Sequence, residues 1–314
     1  MEHVPQDEQK QTENPTQDQV VILAGATGNL GHRVAVHLLA AGSAVKALVR
    51  KGSNSAALET LGQQGVQLLE VDFANPDELK AACKGGSCLV SALSGLSDVI
   101  IDVQTNLLDA AVSAGVPRFI PSDYCIDYTK LQEGSNRNLD LRRQFNKRLN
   151  QAPIAATSIL NGMFTDLLTG QAPIIIQGIK RVVYWGSAEQ LLDFTTTENT
   201  AEFTARAAMN ATTPRYLRIA GEVTDIKGLQ KSASAASGKT FQLLRAGGLG
   251  GLQRMINITR FLLPKKKEVF PPWQGMQYMH NMFTGLPKLT PLDNDRYPGI
   301  HWTSVEEVLQ NAKK

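Results

Sequence analysis

The chain has 314 residues, 42% of them apolar and 19% charged, with a formal net charge of +3. That composition supports a packed core and excludes a wholly disordered chain. The charge is too small and too scattered for a nucleic-acid-binding surface, so no nucleic-acid partner is expected. No run approaches the ~20 apolar residues of a membrane span, so no membrane partner is expected either. There are three cysteines, Cys83, Cys88 and Cys125. An odd count without CxxC spacing points to a reducing compartment and no disulfide framework. Residues 1–18 are rich in Gln, Glu and Asp and nearly free of apolar side chains. They read as a disordered tail without a signal-peptide core, and the expected location is cytoplasmic.

The first ordered stretch sets the frame. Val20 to Ala24 is a short apolar run suited to a buried strand, and Gly25, Gly28 and Gly31 follow at intervals of three. From Leu30 the apolar residues take helical spacing through Val34, Leu38 and Ala41, and Gly42 ends the helix. Residues 44–49 form a second apolar strand. Strand, glycine turn, helix and strand in about thirty residues is one βαβ unit. In such a unit Gly25 turns the chain off the strand, Gly28 lets a pyrophosphate approach, and Gly31 seats the helix on the sheet. The helix then aims free N–H groups and a positive dipole end at the phosphates. Thr27, Asn29 and Leu30 complete that cradle.

Arg50 directly follows the second strand, and no acidic residue appears until Glu59. An NAD-binding fold carries an Asp or Glu near this point for the ribose 2′-hydroxyl, whereas an arginine suits a 2′-phosphate. The pattern therefore predicts NADP(H) as the cofactor. A third strand at residues 66–71 leads into Asp72, which either contacts the cofactor or braces the loop before Asn75-Pro76-Asp77-Glu78, a helix start. A fourth strand, residues 87–91, runs into Ala92-Leu93-Ser94-Gly95. Small residues there let a ligand come close to the backbone at the point where strand order reverses. A helix is predicted at residues 101–114 and a fifth strand at 118–121, followed by Ser122, Asp123, Tyr124 and Cys125. The Ser122 hydroxyl is a candidate to bond a substrate oxygen or the nicotinamide amide, Tyr124 a pocket wall or acid, and Cys125 a small buried filler. A helix at 136–151 and a sixth strand at 154–160 end in Asn161, which offers both donor and acceptor.

Three phrases carry a resemblance: GATGNLG at 25–31, RFIPSDY at 118–124, and the Asn161 corner with Phe164. The chain resembles the extended and atypical short-chain dehydrogenases, in particular the NmrA-like and isoflavone reductase-like group, over most of residues 19–311. The resemblance implies an NADP-binding protein in which Asp72 lies beside the adenine, Ala92 and Ser94 border the nicotinamide ribose, and Asn161 lies near nicotinamide and substrate. It also implies a catalytic lysine on the fifth helix, near residues 140–142. This sequence has Asp140, Leu141 and Arg142 there, and it has no Tyr-x-x-x-Lys. Arg142 can supply fixed positive charge near a developing oxyanion but cannot give up a proton at neutral pH. An ordinary surface role for Arg142 and Arg143 is the alternative, and Lys147 reads as a solvated charge.

Beyond residue 162 the texture changes to a smaller α+β lobe. A hairpin is expected at 174–176 and 181–185, then a strand at 191–195 and a helix capped by Thr196 or Thr197. Strands at 191–195 and 215–220 are candidates to return to the main sheet. Helices at 225–236 and 252–263 enclose a strand at 240–244, and Thr303 to Glu306 has the spacing of a capping box. Trp273, Met276, Tyr278, Met279, Met282 and Phe283 suit an adaptable apolar roof over the cofactor. Lys265, Lys266 and Lys267 form the one basic block and read as a solvated loop. The histidines are scattered, and no metal site is expected.

The expected architecture is a doubly wound parallel sheet (Rossmann) spanning 19–162 with a C-terminal substrate lobe at 163–314. Two functions follow. One is an NADPH-dependent reductase of a small apolar carbonyl, enone or quinone-like molecule bound in the cleft. The other is a redox sensor without turnover that binds NADP and a protein partner, as the resemblance to NmrA-type regulators implies. Oligomeric state is left open.

Overall fold

The computed structural model describes residues 19–53 and 55–312; the tail expected at 1–18 lies outside the described residues. The strands β1 (Val20–Ala24), β2 (Ala44–Arg50), β3 (Gln67–Val71), β4 (Cys88–Ser91), β5 (Arg118–Ile120) and β6 (Ala155–Ala156) form one sheet in the order β3-β2-β1-β4-β5-β6. All five pairings are parallel. The order reverses between β1 and β4, which opens a crevice at their carboxyl ends. This is the doubly wound sheet that the alternation of strands and helices predicts.

Helices cover both faces. On one face lie α1 (Asn29–Ala40) and α6 (Thr197–Met209); on the other lie α3 (Pro76–Cys83), α4 (Gln104–Ser113) and α5 (Arg137–Leu149). α2 (Ala56–Gln63) joins β2 to β3. Local chemistry starts and stops these helices. Ser55, Asn75, Asn136 and Thr196 cap α2, α3, α5 and α6 with side-chain oxygens. Gly42, at φ +84°, closes α1 by donating to Leu39 O (2.9 Å) while Ser43 N–H reaches Leu38 O (3.0 Å). The helix expected at 101–114 begins earlier, with a π-helical turn at Asp98–Val103 ahead of α4.

The sixth strand is split. After β6 the Thr157 N–H still bonds Phe119 O on β5 (3.0 Å), but the Ser158 N–H turns to Arg215 O (2.8 Å). The chain changes partner at that point, and β7 (Ser158–Leu160) pairs with β12 (Tyr216–Arg218). Neither candidate strand, at 191–195 or at 215–220, joins the six-stranded sheet, because β12 pairs with β7 alone. β11 (Leu192–Thr195) lies in a separate small sheet between β8 (Met163–Phe164) and β13 (Glu222–Thr224).

The lobe buries its own core, which includes Trp185, Phe241, Leu252, Met279 and Met282. The expected hairpin is present as β9 (Ile175–Ile176) and β10 (Arg181–Trp185), with β14 (Gln242–Gly247) added in parallel. α7 (Ile226–Ser237), α8 (Leu249–Leu262), α9 (Pro272–Phe283) and α10 (Val305–Asn311) close the lobe. The capping box of α10 sits one residue later than the sequence pattern, at Ser304 and Glu307. The Thr303 N–H is held by Asn199 Oδ1 (2.9 Å), which keeps Thr303 outside the helix.

Candidate functional site

The crevice at the ends of β1 and β4 is built by glycine contacts. A Cβ on Gly25 would stand 2.7 Å from Ala92 O, so the turn after β1 presses against the exit of β4. A Cβ on Gly31 would stand 2.1 Å from Gly25 O, so α1 is seated on that turn. Gly28 differs. It has an ordinary extended backbone (φ −76°, ψ 161°), and a Cβ there would meet only Gly25 O, at 3.4 Å. The protein's own packing does not require glycine at position 28.

Gly28 is also the N-cap of α1, and no side chain caps that end. Thr27, Gly28 and Asn29 are exposed, and Leu30 is half-buried beside them. An exposed, uncapped helix start suits an anion. At the end of β2, Arg50 is exposed, and among the described residues its guanidinium has no hydrogen-bond or ion-pair partner. Lys51 is occupied instead, by Glu78 Oε1 at 2.6 Å. Asp72 Oδ1 accepts from the Ala74 N–H (2.9 Å), which is the loop-bracing role. Ala92 is half-buried and Ser94 exposed along the rim.

The residues after β5 are more deeply committed than the sequence indicates. Ser122 is buried; its hydroxyl donates to Leu93 O (2.5 Å) and its N–H donates to Gln104 Oε1 (2.9 Å). Arg142 is buried too, with Nε donating to Ser122 O (3.0 Å) and Nη1 to Asn138 O (3.0 Å). The surface role considered for Arg142 is thereby corrected. Arg143 also turns inward, binding Asp140 and the carbonyls of Tyr128 and Leu131. Lys147, by contrast, is a solvent-facing partner of Glu133.

Tyr124 is a core side chain under α6, packed with Phe203 and Ala205, which its reading as a pocket wall or acid did not anticipate. Burial pushes its hydroxyl well above the usual tyrosine range, beside Thr204. Cys125 is the buried filler expected; burial pushes its thiol up to about 12. Between them, Asp123 is fully buried, and its Oδ2 accepts from Tyr128 Oη (3.0 Å), Asn146 Nδ2 (2.7 Å) and Ser158 Oγ (2.6 Å). Arg215 in turn donates to Ser158 Oγ (2.7 Å) and to Asn146 Oδ1. These partners come from four segments, the loop after β5, α5, β7 and the run before β12, so no local pattern groups them around Asp123.

Asn161 is fully buried, and both ends of its amide lack a partner among the described residues. Its N–H, like that of Gly162, is anchored to Cys125 O (3.0 and 3.2 Å). Gly162 has φ +68°, and a Cβ there would stand 2.4 Å from Asp193 O. Asp193 forms an ion pair with Lys288 and accepts from the Leu289 N–H (2.8 Å). Asp193 and Lys288 line a small pocket with Ile126, Leu192, Met282 and Pro287. The pair was not legible in the sequence, since 95 positions separate its members.

A family profile, the NmrA-like family, matches residues 17–248. Pinoresinol reductase 2 of Arabidopsis thaliana is 26% identical over 200 residues, covering 59% of this chain and 63% of that protein. The oxidoreductase BOA1 of Botryotinia fuckeliana is 28% identical over 151 residues, covering 47% of this chain and 49% of its own. Among solved structures, the complex of AtPrR2 with NADP+ and (+)-pinoresinol superposes with TM-score 0.77 at 21% identity, covering 94% of this chain and 99% of that one. Leucoanthocyanidin reductase of Vitis vinifera with NADPH gives 0.78 at 17% identity, covering 93% and 99%. These structural likenesses establish the fold. Together with the profile, which spans most of the chain, they lead to one identification: this protein belongs to the NmrA-like family.

Proposed function

We propose that the chain is an NADPH-dependent reductase of a small apolar carbonyl, enone or quinone-like acceptor. The observation that carries this reading is Gly28, a bare and exposed glycine that packing does not demand, at the uncapped start of α1. Close approach of a pyrophosphate explains it. Gly25, Thr27, Gly28, Asn29, Leu30 and Gly31 would cradle the phosphates, and the exposed Arg50 would take the 2′-phosphate. Asp72 would border the adenine. Ala92, Ser94 and the unpaired Asn161 amide would face the nicotinamide half. The reductase names of the relatives and the neighbours bound to NADP+ or NADPH support the same direction.

Bound NADPH would supply a hydride to the acceptor carbon. The acceptor oxygen then needs a proton, and the hydroxyl of Ser122 already donates to Leu93 O. We assign the proton to Lys288, an ammonium in the pocket wall whose partner Asp193 abuts the Asn161–Gly162 corner. Lys288 Nζ would give a proton to the oxygen and regain one from solvent. Ser122 and Arg142 would act one step back, tying the exits of β4 and β5 together.

A non-catalytic NADP sensor is the second reading. It is favoured by the absence of lysine at positions 140–142 and by the burial of Tyr124. NADPH oxidation with a panel of quinones, enones and aryl ethers separates the two. Turnover of one class supports the reductase; tight NADPH binding with no turnover assigns the sensor.

A further inference from the structure

Five of the twelve exposed large apolar side chains of the described residues fall within 258–270: Ile258, Phe261, Leu262, Leu263 and Phe270. Phe261 is 84% exposed and Leu262 65%. α8 buries Leu252 and Ile256, while Arg254, Ile258, Phe261 and Leu262 recur at the spacing of a single outward face. Apolar surface concentrated in this way marks an interaction site.

The tip is held in place from below. Arg137 Nη2 donates to Glu268 O (3.0 Å) and Val269 O (2.8 Å), and Asn138 Nδ2 also binds Val269 O (2.9 Å). Trp273 Nε1 binds Pro264 O (3.0 Å), and the guanidinium groups of Arg137 and Arg260 lie over its ring. The fold therefore presents Phe261 at the end of α8, and Phe270 on a fixed turn, to solvent.

Charge states the partner's chemistry. Arg254, Arg260, Lys265, Lys266 and Lys267 stand against one acid, Glu268. Lys265 pairs with Glu268, and Arg260 is stacked on Trp273. The side chains of Arg254, Lys266 and Lys267 have no partner among the described residues. A second copy of the chain meeting this face on a two-fold axis would bring lysine against lysine. The complement is a surface both anionic and apolar, and lysines flanking exposed Phe and Leu suit the headgroup level of a bilayer. No helix of the described residues is long and apolar enough to cross a membrane, so the contact is with the surface only.

We propose that the end of α8 and the 263–270 turn dock on acidic phospholipid bilayers, with Phe261, Leu262 and Phe270 entering the interface and Lys266 and Lys267 meeting the headgroups. The test is co-sedimentation of the full chain with phosphatidylcholine vesicles with and without phosphatidylserine. Binding is expected only with phosphatidylserine, weakening as salt rises. The pairs F261S/L262S and K266E/K267E should each weaken it about tenfold or more. All these side chains are exposed, so thermal melts should stay at the wild-type value. Equal partition of wild type and both variants overturns the proposal. So does a concentration-dependent dimer without vesicle binding, which would assign the face to a second copy, or stable capture of an acidic protein without vesicle binding.

Discussion

Gly31 rests on Gly25 so closely that a methyl group on Gly31 would fall 2.1 Å from the Gly25 carbonyl oxygen. The same addition at Gly28 meets only an ordinary contact at 3.4 Å. Gly31→Ala should therefore unseat α1 and cost about 1–3 kcal/mol of stability. Gly28→Ala should stay within about 0.5 kcal/mol of wild type yet lose NADPH binding. Urea unfolding and calorimetry on both variants check this. Unchanged binding in folded Gly28→Ala would remove the pyrophosphate from this turn.

Arg50 is exposed and has no partner among the described residues, so Arg50→Glu should leave the melting temperature unchanged. A charge-assisted bond to a 2′-phosphate contributes about 1.5–3 kcal/mol. The variant should bind NADPH about ten- to a hundredfold more weakly while NADH is nearly unaffected. Equal losses for both coenzymes would contradict the assignment.

Lys288 lines a small pocket beside its ion-pair partner Asp193. If it protonates the acceptor, Lys288→Met should lower kcat by about a hundredfold or more while NADPH affinity holds. Lys288→Arg keeps the ion pair without a titratable donor and should also be slow. A fully active Lys288→Met in an enzyme with measurable turnover rejects the lysine alone; a wild type that turns over nothing rejects the reductase.

Asp123 accepts three buried hydrogen bonds. Asp123→Ala leaves Tyr128, Asn146 and Ser158 donors without an acceptor, so we expect a loss of about 3–5 kcal/mol in urea unfolding. Asp123→Asn keeps an acceptor oxygen and should cost less.

Burial raises the thiols of Cys83, Cys88 and Cys125 to about 11, 12 and 12, from 9.0 in the open chain. Above pH 9 the unfolded thiols lose protons that the folded ones retain, so unfolding gains and stability falls. Stability attributable to these groups is complete below pH 9 and declines as pH rises toward 12. Denaturant midpoints measured across that window should shift downward. Thiol reagents at pH 8 should react with the native protein far more slowly than with the unfolded chain.

Much of the first half was legible because its signals are local. A strand, a glycine turn and a helix announce themselves within a dozen residues, since period and backbone freedom are properties of neighbours in sequence. Gly25, Gly28 and Gly31 needed no tertiary knowledge, and neither did Arg50 at the tip of β2. The split of the sixth strand at Thr157 was not legible, because the partner that captures Ser158 lies almost sixty residues downstream, at Arg215. The reading of Tyr124 had the same weakness. Its neighbours in RFIPSDY suggest a cleft, but the burial that makes it a core residue comes from α6.

The sequence by itself determined the sheet, its helices and the glycine turn after β1, because each follows from short-range spacing and from what a Cβ permits. Only the tertiary structure decided which polar groups meet. It turned Ser122 and Arg142 into a brace, buried Asp123 among donors from distant segments, and brought Lys288 to Asp193. Burial and pairing depend on segments far apart along the chain, and no local pattern encodes which of them will touch.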